Sequence, residues 1–264
     1  MLTIVPDYYQ NFKCIADKCK HNCCIGWEID IDDLTLERYS KLESDFSSTL
    51  KSNIVFDDPP HFKLTAEERC PFLNKSGLCD IITRLGEDML CQICSDHPRF
   101  RNYYDTFTEI GLGLCCESAA EIILTKADKT TFNIPETLKQ TPIINFRQRL
   151  FDIIQDRNLP IDIRVENMLN TVDAKLDCNA DWYQLFDSLE TLDENWKKQL
   201  QLIKNGINNF ERDTCLDNAY EQLIVYLLFR HFTDCQYDDM VKERILFSAL
   251  IYKIIRAMNI SDTI

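Results

Sequence analysis

Apolar positions recur through the second half of the chain at the three-to-four-residue spacing of helices that turn one face to a core. Ile144, Leu150, Phe151, Ile153 and Ile154 precede Pro160, and Val165, Met168, Leu169 and Val172 follow it. Further runs cover 182–192, 196–210, 219–232 and 240–258. The pattern predicts about six helices in a bundle, with the aromatic stripe Tyr220, Tyr226, Phe229 and Phe232 in its core. The first half reads differently. Ile25, Trp27, Ile29 and Ile31 alternate with Gly26, Glu28 and Asp30, which predicts a short half-buried strand. Asp33 is then expected to cap a helix carrying Leu34, Leu36, Tyr39 and Leu42. Residues 53–64, with Pro59 and Pro60 at the centre, read as a loose hairpin or loop. A short helix from Cys79 ends at Gly86, and a second runs from Asp88 through Cys91 and Cys94 to Pro98. A strand at 107–114 and a helix at 119–124 capped by Ser118 follow. The polar stretch 126–141 reads as a linker. The expected fold is mainly α: a small α+β cysteine-rich region over 1–127, packed on a C-terminal helical bundle over 138–264.

Composition supports a globular chain and narrows its partners. With 264 residues, 45% of them hydrophobic, the chain can bury one large core or two small ones. The formal net charge of -14 argues against tracking nucleic-acid phosphates or anionic lipid, and suits a basic partner. The best apolar run, 223–229, stops at Arg230, well short of the roughly 18 residues of a membrane span. Residues 1–13 show no basic stretch followed by an apolar run, so no secretory signal is expected and the cytoplasm is the expected address.

The chemistry lies in the cysteines. Of the 13, ten fall within the first 116 residues: Cys14, Cys19, Cys23, Cys24, Cys70, Cys79, Cys91, Cys94, Cys115 and Cys116. An odd total argues against a disulfide scaffold. So do the vicinal pairs Cys23–Cys24 and Cys115–Cys116, whose Cα atoms sit about 3.8 Å apart, inside the usual separation of bridged cysteines. Clustered thiols in a reducing compartment more often hold metal. Cys91 and Cys94 share one face if their segment is helical, and the turn-like Asn74-Lys75-Ser76-Gly77 folds the arms bearing Cys70 and Cys79 together. An all-thiolate set suits zinc or an iron–sulfur cluster, in one site or two. Cys178, Cys215 and Cys235 stand alone in the helical half and read as small core residues. No dinucleotide fingerprint, phosphate loop, nucleophile elbow or zinc-protease motif is present. The histidines are four, of which His21 and His97 lie near cysteines.

The order Cys14-x4-Cys19-x3-Cys23-Cys24-Ile25-Gly26-Trp27, Cys70-Pro71-Phe72-Leu73, Gly77-Leu78-Cys79, Gly86-Glu87, Leu90-Cys91-x2-Cys94 and His97-Pro98-Arg99 resembles the flagellin lysine-N-methylase family. That family is related to cysteine-cluster proteins that chelate zinc or iron. The motifs cover roughly residues 1–125; the helical half agrees chiefly at Tyr226-Leu227-Leu228-Phe229-Arg230-His231-Phe232. Around Cys116 the family pattern is Cys-Pro-Glu, whereas this chain has Cys116-Glu117-Ser118. The resemblance implies methyl transfer from S-adenosylmethionine to flagellin lysines, with an iron–sulfur cluster of the 4Fe-4S kind, or zinc, held by Cys14, Cys19, Cys23, Cys24, Cys70, Cys79, Cys91, Cys94 and Cys116.

Methylation of lysine needs a neutral amine in line with the methyl donor, hence a group that desolvates the ammonium or takes its proton. No motif identifies that group. Glu109, Tyr103, Tyr104 and His97 lie between the cysteine segments and are the catalytic candidates, while Arg99 and Arg101 are candidates for the donor's carboxylate. The rival expectation is a non-enzymatic module in which zinc fixes the cysteine region and the bundle binds a protein. A thiol redox sensor built on Cys91 and Cys94 is a third.

Overall fold

The structure is a computed structural model that describes residues 2–20, 22–139, 141–176, 182–191, 194–204, 215–232, 235 and 240–261. It is mainly α, with eleven α-helices and five short strands among the described residues. The chain divides into two compact units. One, the cysteine unit, comprises Tyr9–Arg101 and Ile110–Ile122; the other, the helical unit, comprises Met1–Tyr8, Asn102–Glu109 and Ile123–Ile264.

In the cysteine unit, helix α1 (Asp33–Ser40) begins one residue earlier than the sequence suggests, because Asp32 is its cap. Asp32 Oδ1 accepts from the Thr35 N–H at 3.0 Å and Oδ2 from the Gln92 N–H at 2.8 Å. One carboxylate therefore caps both α1 and the short helix α4 (Gln92–Asp96). The expected apolar face is rotated: α1 buries Thr35 and Tyr39 and leaves Leu34 73% exposed. Hydrogen bonds select this face, since Arg38 reaches Thr35 Oγ1 and the carbonyls of Asp88 and Leu90, and the Tyr39 hydroxyl donates to the Met89 carbonyl at 2.7 Å. Helix α2 (Ser47–Ser52) and the antiparallel hairpin of β2 (Ile54–Val55) and β3 (His61–Phe62) follow, the latter as predicted. The segment 25–31 is extended but forms only isolated bridges, Ile25 to Arg69 and Asp30 to His61, not a strand. Gly26 at φ +86° interrupts its period, so Ile29 and Ile31 are buried while Ile25 is exposed.

Helix α3 (Asp80–Leu85) ends at Gly86, at φ +95°, as its sequence predicts. The helix expected from Asp88 through Cys94 is broken: Cys91 has extended backbone and caps α4. Ile29, Ile31, Tyr39, Phe46, Leu50, Phe62, Phe72 and Ile81 form the core of this unit together with Cys70 and Cys91. Its remaining elements are the chain through β4 (Arg99–Tyr103) and β5 (Phe107–Leu112), within each of which the chain passes between units, and α5 (Glu117–Leu124). Ser118 does not cap α5; its hydroxyl donates to the Lys13 carbonyl at 2.7 Å.

In the helical unit, β1 (Leu2–Ile4) pairs in parallel with β5 in the register Leu2 to Phe107 and Ile4 to Glu109. The predicted helices are α6 (Pro142–Ile154), α7 (Ile161–Asn170), α8 (Trp182–Asp187), α9 (Glu194–Ile203), α10 (Asp217–His231) and α11 (Val241–Ser261). Every residue of α10 from Tyr220 to Phe229 is buried, which accounts for its lack of a polar face. The 126–141 stretch is not a free linker. Asp7 N–H donates to the Thr131 carbonyl at 2.9 Å, and Phe132 stacks 4.7 Å from both Phe151 and Phe229. A single aromatic supplies that anchor, too little to create a period in the sequence. No helix among the described residues is long and apolar enough to cross a membrane.

The shared cap gives a direct prediction. Burial raises the Asp32 carboxyl, but the Gln92 and Thr35 amides outweigh it and hold the pKa below its usual value. A depressed folded pKa contributes stability above the unfolded value near 3.9 and loses it as pH falls through the folded pKa. Asp32→Ala should therefore cost about 1–2 kcal/mol at neutral pH and less in acid, measured by urea unfolding across pH. Equal destabilisation at every pH would show that the carboxylate's charge plays no part.

Candidate functional site

Nine cysteines predicted as ligands all lie in the cysteine unit, and the structure separates them into two groups. Cys24, Cys70, Cys79, Cys91 and Cys94 belong to the hydrophobic core, Cys70 at 5% and Cys91 at 0% exposure, with the other three packed against it. They come from four segments. The Cys70 N–H donates to the Cys24 carbonyl at 2.8 Å, holding those two segments together. Asn74 Oδ1 accepts from the Ser76 and Leu78 N–H groups, and Leu73 bridges to Cys79, so the turn folds the Cys70 and Cys79 arms together as expected. Cys91 and Cys94 share a side-chain hydrogen bond across one turn of α4, and the Tyr39 hydroxyl lies 3.6 Å from Cys91 Sγ.

Proton sharing polarises these thiols. The hydrogen bond from Cys94 lowers the pKa of Cys91, and the same bond, with burial, raises Cys94. Burial pushes Cys70 up to about 11 and raises Cys79. Each also feels the negative charge of others in the set: Cys24 that of Cys70 and Cys79, and Cys94 that of Cys24 and Cys70. Cys24, Cys70, Cys79 and Cys94 are thus held as neutral thiols, and ionising several of them together would require a cation among them.

Cys14, Cys19, Cys23 and Cys116 form the outer group; Cys14 is exposed and the others are half-buried. The Cys19 thiol donates to Glu117 Oε2 at 3.6 Å, and the same oxygen accepts the Lys20 N–H at 2.7 Å. Cys23 links the groups through a hydrogen bond with Cys24 that lowers its own pKa to about 7 and raises its neighbour's. Cys115 is exposed. No disulfide joins any of the described cysteines. Cys215, expected in a core, is exposed, Cys235 is half-buried, and Cys178 lies outside the described residues.

His97 follows Cys94 by three residues at the end of α4. Its Nε2 is buried with no hydrogen-bond partner, burial lowers its pKa, and its ring lies 6.4 Å from that of Trp27, whose indole N–H donates to the Cys23 carbonyl. His21 lies outside the described residues. Arg99 donates to the Tyr9 hydroxyl at 3.2 Å and lies over the Tyr9 and Phe12 rings; Arg101 pairs with Asp96 at 2.8 Å. Tyr103 is 63% exposed. Glu109 and Tyr104 are buried in the helical unit, where Glu109 accepts from Arg147 and from the Tyr104 hydroxyl.

Among the described residues no three cysteine, histidine or carboxylate side chains converge to hold a metal ion in this arrangement. The donor chemistry still fits a thiophilic metal: several thiols meet in one core, two of the pairs share a proton that a cation can replace, and an imidazole nitrogen is buried unpaired in the same unit. An open groove of about 830 Å³ borders this core, lined by Leu34, Arg38, Glu37, Asp88 and by Leu90 and Gln92, the two neighbours of Cys91. Sequence reasoning missed Asp32, Tyr39 and Glu117. Only Glu117 had a visible signal, standing beside Cys116 where the family pattern places proline.

Fold and site together define a mainly α protein with a thiol-lined core. Neither a family model nor a solved structure matches the chain. Two curated proteins named lysine-N-methylase, from Salmonella choleraesuis (strain SC-B67) and Salmonella typhimurium (strain LT2), are each 26% identical to it over 159 residues, 56% of this chain and 40% of theirs. The flagellar biosynthetic protein FliU of Salmonella muenchen is 28% identical over 130 residues, 47% of this chain and 77% of that protein. The chain is thus a relative of the flagellin lysine-N-methylase family that its motifs resemble, and it spans about 40% of the length of the lysine-N-methylases it matches.

Proposed function

We propose that the chain is a protein-lysine N-methyltransferase that acts on flagellin lysines with S-adenosylmethionine as donor, and that its cysteine unit holds an iron–sulfur cluster. The observation that carries the reading is the similarity to proteins named lysine-N-methylase and FliU. The thiol core supports its cofactor. The ligands of the cluster would be drawn from Cys24, Cys70, Cys79, Cys91 and Cys94, and an iron left without a thiolate would supply a Lewis acid for the amino and carboxylate groups of the donor. The chain's own groups do the rest. Arg99 and Arg101 offer guanidinium groups to a carboxylate, and the groove beside Cys91 gives a donor room next to the thiols. His97, neutral because burial lowers its pKa, is the candidate to accept the proton that the lysine ammonium must lose. The net charge of -14 suits a lysine-bearing protein partner.

The test is anaerobic purification of the full chain, followed by iron, zinc and acid-labile sulfide analysis and by calorimetric titration with S-adenosylmethionine. Iron with matching sulfide and saturable donor binding is the expected result, and methylated flagellin lysines detected by mass spectrometry complete it. Zinc without sulfide, and no donor binding, would leave a metal-fixed interaction module instead.

A further inference from the structure

In the helical unit, the starts of α7 and α10 line one open cleft of about 470 Å³. Their N-cap residues are Pro160 and Leu216, whose side chains carry no acceptor for the first-turn N–H groups. The first-turn carboxylate of α7, Asp162, is turned to α11, where it accepts from the Tyr252 hydroxyl at 2.9 Å and from Arg256. The same cleft is lined by a buried charge triad. Glu221, fully buried, accepts from Arg157 Nε at 3.1 and 3.2 Å, from Arg157 Nη2 at 2.8 Å and from Arg164 Nη1 at 2.6 Å. Two guanidiniums against one carboxylate leave the triad one positive charge in excess. Arg157 Nη1 is engaged by the Ala127 carbonyl at 2.7 Å, and Arg164 Nη1 also donates to the Ile154 carbonyl at 2.7 Å. Arg164 Nε differs from these: the residue is 4% exposed, and that buried N–H has no hydrogen-bond partner, a costly state until an acceptor reaches it.

We propose that this cleft binds a small amphipathic monocarboxylic acid, its carboxylate seated by Arg164 at the start of α7 and its apolar body against Leu159 and Pro160. A single surplus charge matches a monoanion, and a planar carboxylate matches a guanidinium edge. Uncapped helix starts add N–H groups and positive potential. Asp217, in the first turn of α10, is the other carboxylate on the cleft wall besides Glu221. It repels an anion, which favours the α7 end and counts against a doubly charged phosphate. The site lies wholly in the helical unit and uses none of the groups assigned above to methyl transfer.

The experiment follows the Nε–H resonances of the full chain, isotope-labelled at arginine, during titration at constant ionic strength with butyrate, with its neutral isostere butyramide and with inorganic phosphate. Arg164→Lys assigns the Arg164 signal by its loss. Butyrate should move that signal saturably with a dissociation constant of about 1–10 mM, the range open to a fragment of its size. Butyramide should leave it in place, and phosphate should bind about tenfold more weakly or not at all. Asp217→Asn should tighten butyrate about two- to threefold by removing a like charge. Arg164→Met with Glu221→Leu removes the buried pair without stranding a charge, so it should unfold in urea like the parent and lose butyrate binding, read by saturation transfer to the butyrate methyl. An Arg164 signal that stays in place at about 50 mM butyrate, or follows butyramide equally, would overturn the site and leave the triad a structural ion pair. Tighter binding of phosphate than of butyrate would overturn the carboxylate assignment. If the double variant fails to fold, Asp217→Asn decides, and unchanged or weaker butyrate binding there would overturn the seat beside Arg164.

Discussion

Arg147→Ala is expected to destabilise the helical unit by about 3–5 kcal/mol, because it strands a carboxylate in a core with no route to solvent. Glu109 is 0% exposed and the Arg147 side chain 3%. Arg147 Nη1 donates to Glu109 Oε2 at 2.9 Å, its Nη2 donates to Oε1, and the Tyr104 hydroxyl adds a bond to Oε2 at 3.2 Å. The guanidinium also lies 5.7 Å from the centre of the Phe151 ring and 5.3 Å from that of Phe229. Burial alone would lower the pKa of Arg147; the Glu109 charge overrides it and raises the pKa, so the guanidinium keeps its charge in the core. Urea unfolding of the single variant, of Glu109→Leu and of Arg147→Met with Glu109→Leu would separate the terms. The double apolar variant should recover most of the loss, since the cost of the single changes is the orphaned charge and not the missing attraction. A single variant within about 0.5 kcal/mol of the parent would mean that water reaches the carboxylate.

The pair also explains why residue type alone misleads at position 109. A glutamate between cysteine segments reads as a candidate base, yet its partner lies 38 residues further on, in α6, and no local pattern links the two. The same limit runs through the site. Elements whose cause is local were legible: α3 between Cys79 and the Gly86 stop, the Cys70–Cys79 turn built on Asn74, the β2–β3 hairpin and the six-helix pattern. Features whose cause is tertiary were not. Asp32 and Asp33 are equivalent caps by composition, and only the distant Gln92 amide decides between them. The face of α1 is set by Arg38 and Tyr39 reaching the 88–90 carbonyls, a demand that leaves Leu34 in solvent and that hydrophobicity cannot announce. The cysteines as a group were visible from their number and spacing. Their division was not, because Cys23 and Cys24 are adjacent in sequence and differ only in what each of them faces.

Cys91→Ser with Cys94→Ser is expected to remove the iron and sulfide from the purified chain and, with them, binding of S-adenosylmethionine. Cys91 is the thiol most firmly placed in the core, at 0% exposure and 3.6 Å from the Tyr39 hydroxyl, and it shares a proton with Cys94. Serine keeps the size of the side chain and a donor for Tyr39, but its hydroxyl is no ligand for soft metals. The fold should therefore survive with a loss of about 1–3 kcal/mol, the cost of placing a hydroxyl where a thiol was, which circular dichroism and urea unfolding would read independently of metal. A folded variant without iron and without donor binding makes the cluster the donor's anchor. A folded variant that loses iron but titrates the donor unchanged would reduce the core thiols to a structural role and return the donor site to Arg99, Arg101 and the groove. Cys115→Ser sets the scale for both outcomes: that side chain is exposed and stands outside both thiol groups, so iron content and donor affinity should match the parent.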